Sequence, residues 1–467
     1  MRRALAALGA LVALHGCVRY VPQPIEPAAH AAAYRARRLS DPRLLDWVSR
    51  WADRPAAGRW TDRQLALAAL GLRAELARAR AEWRAALAAE RTAGAHPSPG
   101  VTADVERAVS GSGGASPWVV SLGALWSVEL GGKRGARLQR ARARSAVAEA
   151  ELRGTAWRIA GETRMAALAL ASAEAERVDA EREAGTLTEV QSLEHARYEE
   201  AALTAAELAR TAAEVQEARF RASAAEAAAI DARAALAALT ALPPAALDGA
   251  EVEAEPGSGC ASLATLGDDS LAALALTRRP EIGGALAEYA VAEAGLRGEV
   301  ARQYPDLDLG PGFIWDQGVH RWTLALALPN LLKFRNRSAI DEAVAGRAAA
   351  AARVAEIQEV LLGDAARAGA RCRGARLEAA AADSQVVVAE RQAALARAAY
   401  ERGETSRLDP VLAALGVVRA ERARRLQAGR LAAAGLALEA AIGGSADAEG
   451  GRWPDPRSDV LTEEVPR

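Results

Sequence analysis

Trp322-Thr323-Leu324-Ala325-Leu326-Ala327-Leu328 opens a stretch that runs to Gly443, and the chain contains that stretch twice. A shift of 202 residues lays Leu122, Ala124 and Trp126 on Leu324, Leu326 and Leu328, Gly161-Glu162 on Gly363-Asp364, and Tyr198-Glu199 on Tyr400-Glu401, with no gap over the span. An internal repeat governs the reading of everything around it. Each unit reads as a short alternating segment, a very long Ala-rich helix, a turn, and a long helix coming back.

The alternating segments form hairpins. In the first unit Val101, Ala103 and Val105 alternate with Thr102, Asp104 and Glu106. After the loop Ser110–Ser116, Trp118, Val120, Leu122, Ala124, Trp126 and Val128 alternate with Val119, Ser121, Gly123, Leu125, Ser127 and Glu129. In the second, Leu307, Leu309, Phe313 and Trp315 alternate with Asp308, Gly310, Gly312 and Ile314, and Trp322, Leu324, Leu326 and Leu328 with Thr323, Ala325 and Ala327. One face is apolar and the other mostly polar. Four of the ten tryptophans lie in these strands, and strands of about 9–11 residues with terminal aromatics have transmembrane-barrel dimensions. A soluble sandwich is the alternative, but no further strands exist for these to pack on.

A proline-free run rich in Ala, Leu, Arg and Glu follows each hairpin. About 63–65 residues separate hairpin from turn, so each arm is ~95 Å long. Such a helix belongs to a coiled coil or a helical tube. Gly185-Thr186-Leu187-Thr188 invites a break, yet the repeat register places the turns at Glu200–Thr204 and Arg402–Ser406 and leaves Gly185 inside the helix. The return helices end at Leu242-Pro243-Pro244 and Ile442-Gly443-Gly444.

Composition agrees. The chain is 51% hydrophobic but only 4% aromatic, its apolar quota is mostly alanine, and its formal net charge is -1. Alanine favours helix and thin, close-packed layers over a thick core. Interleaved Arg, Glu and Asp read as solvated helix faces and give no basic face for nucleic acid. His15, His30, His96, His195 and His320 are scattered and form no ligand cluster with the cysteines, so no catalytic or metal constellation emerges, no cofactor is expected, and the chain reads as no enzyme.

At the N-terminus, residues 1–16 read as a signal peptide: Met1-Arg2-Arg3 is charged, Ala4 to Leu14 is apolar, and Leu14-His15-Gly16-Cys17 follows. The run resembles a bacterial lipoprotein signal, in which Cys17 carries the lipid. A plain secretory signal is the alternative, and His15 departs from the small residue usual there. Residues 17–60, with their spaced prolines, read as an extended, lipidated tether. Thr61-Asp62 is expected to cap a helix from Arg63 to about Glu90. The first repeat spans 61–242 and the second 278–443. Between them, 243–277 is a linker with a short helix at Ser270–Thr277, and 444–467 is expected to be a disordered tail.

Arg279-Pro280-Glu281-Ile282, Tyr304-Pro305-Asp306-Leu307, Asn336 ahead of a long helix, and Tyr400-Glu401-Arg402-Gly403 with Asp409 occur in an order and spacing that resemble the outer-membrane efflux protein (TolC-like) family, over roughly residues 60 to 443. The resemblance implies a mainly α fold with a small transmembrane β part. Three chains would supply four strands each to a twelve-stranded barrel and twelve helices to a periplasmic tunnel. It further implies the outer-membrane channel of a tripartite efflux or type I secretion system, partnered by a periplasmic adaptor (membrane fusion protein), an inner-membrane pump and outer-membrane lipid. Physics reaches part of this independently: strands in lipid must close, and four strands cannot close alone. The rival is a periplasmic coiled-coil adaptor or scaffold, which has no need of duplicated amphipathic hairpins.

On that resemblance Leu203, Thr204, Gly403, Thr405 and Ser406 are expected to form the adaptor-docking tips, with Ala201 standing where the second unit has Gly403. Asp409 would line the periplasmic constriction. Its other reading is a helix N-terminal residue ahead of Pro410. The family's second acidic position is Leu412 here. Trp315-Asp316-Gln317-Gly318 and the Asn336 region are similar to heavy-metal efflux channels within the family, although metal ligands are absent, so drugs, metal ions and polypeptides all stay open as cargo. For Cys260 and Cys372 the reading favours two free thiols over a bridge.

Overall fold

In the computed structural model, which describes residues 19–52, 58–107, 109, 116–253, 260, 266–316, 318–328, 336–444, 453–458 and 461, order begins well ahead of the first repeat. Pro27 and Pro42 each stand at a helix start, where a missing N–H costs nothing, and helices α1 (Pro27–Ala36) and α2 (Pro42–Ser49) follow. The expectation of an extended tether is therefore corrected for these residues, and docking is the reason. Tyr34 Oη donates to Leu242 O and Arg37 Nη1 to Ala241 O, both at 2.8 Å. Leu44, Trp47 and Val48 are buried in the largest apolar cluster, where Trp47 Nε1 donates to Leu67 O at 2.8 Å.

Strand β1 (Arg59–Thr61) leads into α3 (Asp62–Leu72) through a capping box between Thr61 and Gln64. The predicted single helix to about Glu90 is interrupted at Arg73, whose φ of -74° and ψ of 120° are extended, and resumes as α4 (Ala74–Gly94). Arg73 is held there by Glu75 at 2.8 Å and Glu162 at 3.4 Å.

Then come strands β2 (Gly100–Arg107) and β3 (Trp118–Val128), the 67-residue arm α5 (Lys133–Glu199), and its return helix α6 (Ala205–Thr240). Across the linker lie β4 (Glu251–Glu253), which pairs in parallel with β1, then α7 (Asp268–Arg278) and α8 (Pro280–Ala301). The second unit follows with β5 (Leu307–Asp316), β6 (Val319–Ala327), the 65-residue α9 (Arg337–Glu401) and α10 (Leu408–Ile442). Each arm is thus ~100 Å long, and Gly185 lies inside α5.

The four long strands form one antiparallel sheet in the order β2-β3-β5-β6, joined between hairpins by β3 and β5. Ala103, Leu122, Phe313 and Trp322 stand abreast in one row. Thr102, Gly123, Gly312 and Thr323 stand abreast in the next, on the opposite face. A Cβ on Gly123 would come within 2.8 Å of Thr102 Oγ1, and one on Gly312 within 2.7 Å of Thr323 Oγ1, so cross-strand crowding requires glycine there. Among the described residues the outer edges of β2 and β6 are unpaired. Among the described residues no helix is long and apolar enough to cross a membrane.

The long helices make a layer one helix thick, and the short helices α1, α2, α3 and α7 pack on it in the middle. Far from the sheet α6 packs on α5, α5 on α10 and α10 on α9; near the sheet the sequence of neighbours is α4, α5, α8, α9. A buried triad fixes the middle, where Arg164 on α5 donates to Asp62 at the start of α3 and to Glu439 near the end of α10, both at 2.7 Å. Burial alone would lower the Arg164 pKa; the fields and hydrogen bonds of the two carboxylates outweigh it and raise it.

Two further expectations are corrected. Cys260 and Cys372 form a disulfide, with Cα atoms 5.4 Å apart. Leu271 and Ala275 of α7 pack into an apolar cluster with Ala365, Ala368 and Leu438, which brings the linker onto α9 at the height of Cys372. Close approach depends on Gly369, where a Cβ would meet Leu271 Cδ1 at 3.1 Å. The tail is not disordered over residues 453–458. Trp453 packs on the apolar clusters of the middle, under the Arg63 guanidinium, and Arg80 Nε donates to Pro456 O at 2.8 Å.

Candidate functional site at the helical tips

The two turns joining arm to return helix are built alike. At the end of α5, Ala202 N donates to Arg197 O at 2.8 Å and Ala201 N to Tyr198 O at 2.9 Å. At the end of α9, Glu404 N donates to Ala399 O and Gly403 N to Tyr400 O, both at 2.9 Å. This is the Schellman arrangement, which needs a left-handed residue just past the helix. Gly403 supplies it with φ of +76°, and Ala201 adopts it too, with φ of +58°. The first turn is therefore as tight as the second, at a cost of about 1–2 kcal/mol for the alanine.

Each return helix then opens on a carboxylate that bonds back to the turn. Thr204 and Glu207 form a reciprocal capping box, with Glu207 N to Thr204 Oγ1 at 3.3 Å and Thr204 N to Glu207 Oε2 at 2.9 Å. Thr204 Oγ1 also donates to Glu207 Oε2 at 2.7 Å, and this bond, with the one from Thr204 N, holds the Glu207 pKa below the ordinary glutamate range. The repeat register lays Glu207 on Asp409, whose Oδ2 accepts from Ser406 N at 3.0 Å and Ser406 Oγ at 2.8 Å. Asp409 is thus an exposed first-turn residue of α10, bound back to Ser406 ahead of the helix. At the tips Leu203 is half-buried, whereas Thr204, Gly403, Thr405 and Ser406 are exposed. Cys17 lies outside the described residues.

Above the tips, about 17 residues and ~25 Å back along α5, three helices meet at a buried carboxylate. Glu183 accepts from Arg422 Nη1 at 2.8 Å and Arg419 Nε at 2.9 Å, both on α10, and from Arg221 Nη2 on α6 at 3.2 Å. Burial would push its pKa up. The Arg419 hydrogen bond and the fields of Arg221, Arg419 and Arg422 outweigh that and hold it below the ordinary range. One turn away Arg425 Nε donates to buried Asp179 at 2.6 Å, and Arg422 Nε to Glu176 at 2.9 Å. Nearer the tip, Leu187 packs with Val215, Ala218 and Leu415, and Arg407 reaches Glu189 at 3.4 Å. This seam joins the two helical hairpins of the chain.

Sequence reading missed both Glu207 and the seam. The register alone gives the first. The second had a weaker signal, Arg419, Arg422 and Arg425 at three-residue spacing opposite Glu176, Asp179 and Glu183 on another helix. Among the described residues no group of three or more His, Cys, Asp or Glu is placed to hold a metal ion.

Against solved structures the whole architecture has counterparts. The outer-membrane channel OprN superposes with a TM-score of 0.65 at 19% identity, over 92% of this chain and 99% of that one. VceC, an outer membrane protein of Vibrio cholerae, gives 0.64 at 20% identity over 82% and 96%. The open MtrE outer membrane channel of Neisseria gonorrhoeae gives 0.62 at 22% over 82% and 89%. A comparison with curated protein sequences finds no match. The sequence profile described as outer membrane efflux protein matches residues 65–242 and 271–444, the two repeats almost in full, and the chain belongs to that family.

Proposed function

We propose that three copies of the chain assemble into a passive, gated duct that carries solutes across the bacterial outer membrane, on behalf of an inner-membrane pump reached through a periplasmic adaptor. The carrying observation is the pair of free edges. Among the described residues the sheet ends in unpaired β2 and β6 edges, and the helical layer also ends openly, with α4 and then α6 along one side and α9 along the other. Unpaired strand edges are untenable in lipid, and a lone four-stranded sheet cannot close. A layer open on both sides with an apolar outer face is a sector of a closed tube. The exposed apolar side chains Leu377, Val387 and Leu395 of α9, and Phe220 and Ile230 of α6, are the surfaces by which neighbouring sectors would meet.

The tips lie at the far end from the sheet, where Leu203, Thr204, Gly403, Thr405 and Ser406 offer small side chains and helix ends to an adaptor. Asp409 would gather three carboxylates there under threefold symmetry. Opening moves α10 against α5 and so must break the seam at Glu183. Lipidation of Cys17 would add an anchor in the same membrane.

Planar-bilayer recording tests the reading, with Asp409→Ala and Asp409→Asn alongside wild type. Cation-selective conductance that rises in Asp409→Ala and loses selectivity in both variants supports duct and constriction. A protein that stays soluble without detergent and never conducts sinks the duct and leaves the scaffold.

A further inference from the structure

A basic stripe lies where the helices begin below the sheet. From Lys133 to Arg144 the chain carries six cations and no carboxylate, and Lys133, Arg137, Arg140 and Arg144 follow the i, i+4, i+7, i+11 spacing of one helix face. The fold does not demand them. In the second unit the same four positions are Arg335, Ala339, Glu342 and Gly346, so an arm of identical construction does without the stripe.

Two observations place this face toward the bore. Lys133 Nζ donates to Asp306 Oδ1 at 2.7 Å and Arg137 Nη2 to Glu129 Oε2 at 3.0 Å. Glu129 continues the alternation of Ser121, Gly123 and Ser127, and Asp306 that of Asp308, Gly310 and Gly312, the polar face of the sheet. The tail, by contrast, holds Glu149 through Arg457 at 3.2 Å. Glu149 lies nine residues past Arg140, about two and a half turns, and therefore on the opposite side of α5.

The first two cations are neutralised by their partners. Among the described residues neither Arg140 nor Arg144 has a carboxylate partner. Arg140 lies against the backbone of α8, its guanidinium 4.0 Å from the Cβ position of Gly295. It lines a cleft of about 270 Å³ with Lys133, Arg137 and Arg302, where Glu129 and Glu299 are taken up by Arg137 and Arg302.

Resting on the duct reading above, we propose that Arg140 and Arg144 form an anion-binding collar in the bore just below the barrel, and that the cargo class it selects is small organic anions bearing two or more carboxylate, sulfonate or phosphate groups. Guanidinium forks match such groups bidentately, and a bore wall of low dielectric strengthens the attraction.

Citrate is the probe, and full-length detergent-purified protein is compared with Arg140→Gln/Arg144→Gln. Both sites are exposed and glutamine is a good helix former, so the variant keeps its fold. Calorimetry should show citrate binding that weakens at least tenfold in the double variant. In bilayers the citrate concentration for half block should rise by the same factor. Undetectable citrate binding to the wild type, or binding or block equal in the two proteins, overturns the collar. Binding lost in the variant without any conductance keeps the anion site and defeats the duct reading instead. A variant that loses co-purified phosphatidylglycerol, with no citrate binding in either protein, puts the stripe against the bilayer and also overturns the proposal.

Discussion

Glu183→Gln should loosen the closed tips. Glutamine keeps the volume and one acceptor but removes the charge that three guanidinium groups share. Breaking a buried ion pair from one side costs about 3–5 kcal/mol. Here Arg419 stays 48% exposed and Arg221 33%, and Arg422 and Arg221 retain Glu176 and Glu217. Solvent and second partners therefore reduce the figure to about 2 kcal/mol, a shift of about 30-fold in a closed-to-open equilibrium. Single-channel recording reads that shift as open fraction. Glu217→Gln is the control, since its partner Arg221 keeps Glu183 and the pair is exposed; a change under about twofold is expected there. An open fraction for Glu183→Gln within threefold of wild type, in a protein of unchanged melting temperature, would refute the idea that the seam restrains opening.

Four further outcomes follow from the same geometry. Because Glu183 and Glu207 have pKa values lowered in the folded chain, their contributions are complete above the ordinary glutamate value of about 4.3 and are lost as pH falls through the lower folded values, so open fraction should rise on acidification below that point and stay flat from pH 6 to 8. Ala201→Gly should stabilise the first tip by about 0.5–1 kcal/mol and Gly403→Ala destabilise the second by about 1 kcal/mol, seen as opposite changes in amide exchange at the turns. Cys372→Ser should cost up to about 4–5 kcal/mol of stability for a bridge of 112 residues' separation, read as a lower melting temperature that no longer responds to dithiothreitol; a wild-type melt indifferent to reductant would argue against the bridge. Arg164→Ala should cost about 3 kcal/mol in thermal or denaturant melts, since it removes the arginine that bridges the buried carboxylates of Asp62 and Glu439, and Arg164→Lys should recover only part of that because one ammonium cannot fork between them.

Where local pattern and global fold coincide, the sequence was readable. The switch between period 2 and period 3.6 marked strands and arms, and the 202-residue register located both turns despite the misleading Gly185. At the tip, Asp409 and Ser406 were identified, but their mutual hydrogen bond and the identity of Glu207 as their counterpart needed coordinates or a closer use of the register. Errors fell where a residue's partner is remote. Pro27 and Pro42 look like breaks until α1 and α2 find surfaces to dock on, and the tail looks disordered until Trp453 finds the apolar middle.

By itself, then, the sequence determined the repeating unit, the lengths of its arms, the two faces of its strands and the positions of its turns, because hydrophobic period and backbone propensity act over a few residues and leave their mark in order along the chain. Only the tertiary structure decided that β3 joins β5, that Cys260 meets Cys372, that three arginines from two helices converge on Glu183, and that the Lys133–Arg144 stripe continues the polar face of the sheet. Those pairings depend on how long elements cross in space, and a single sequence carries no distance between residues on different elements, whether 38 positions apart like Glu183 and Arg221 or 112 like the two cysteines.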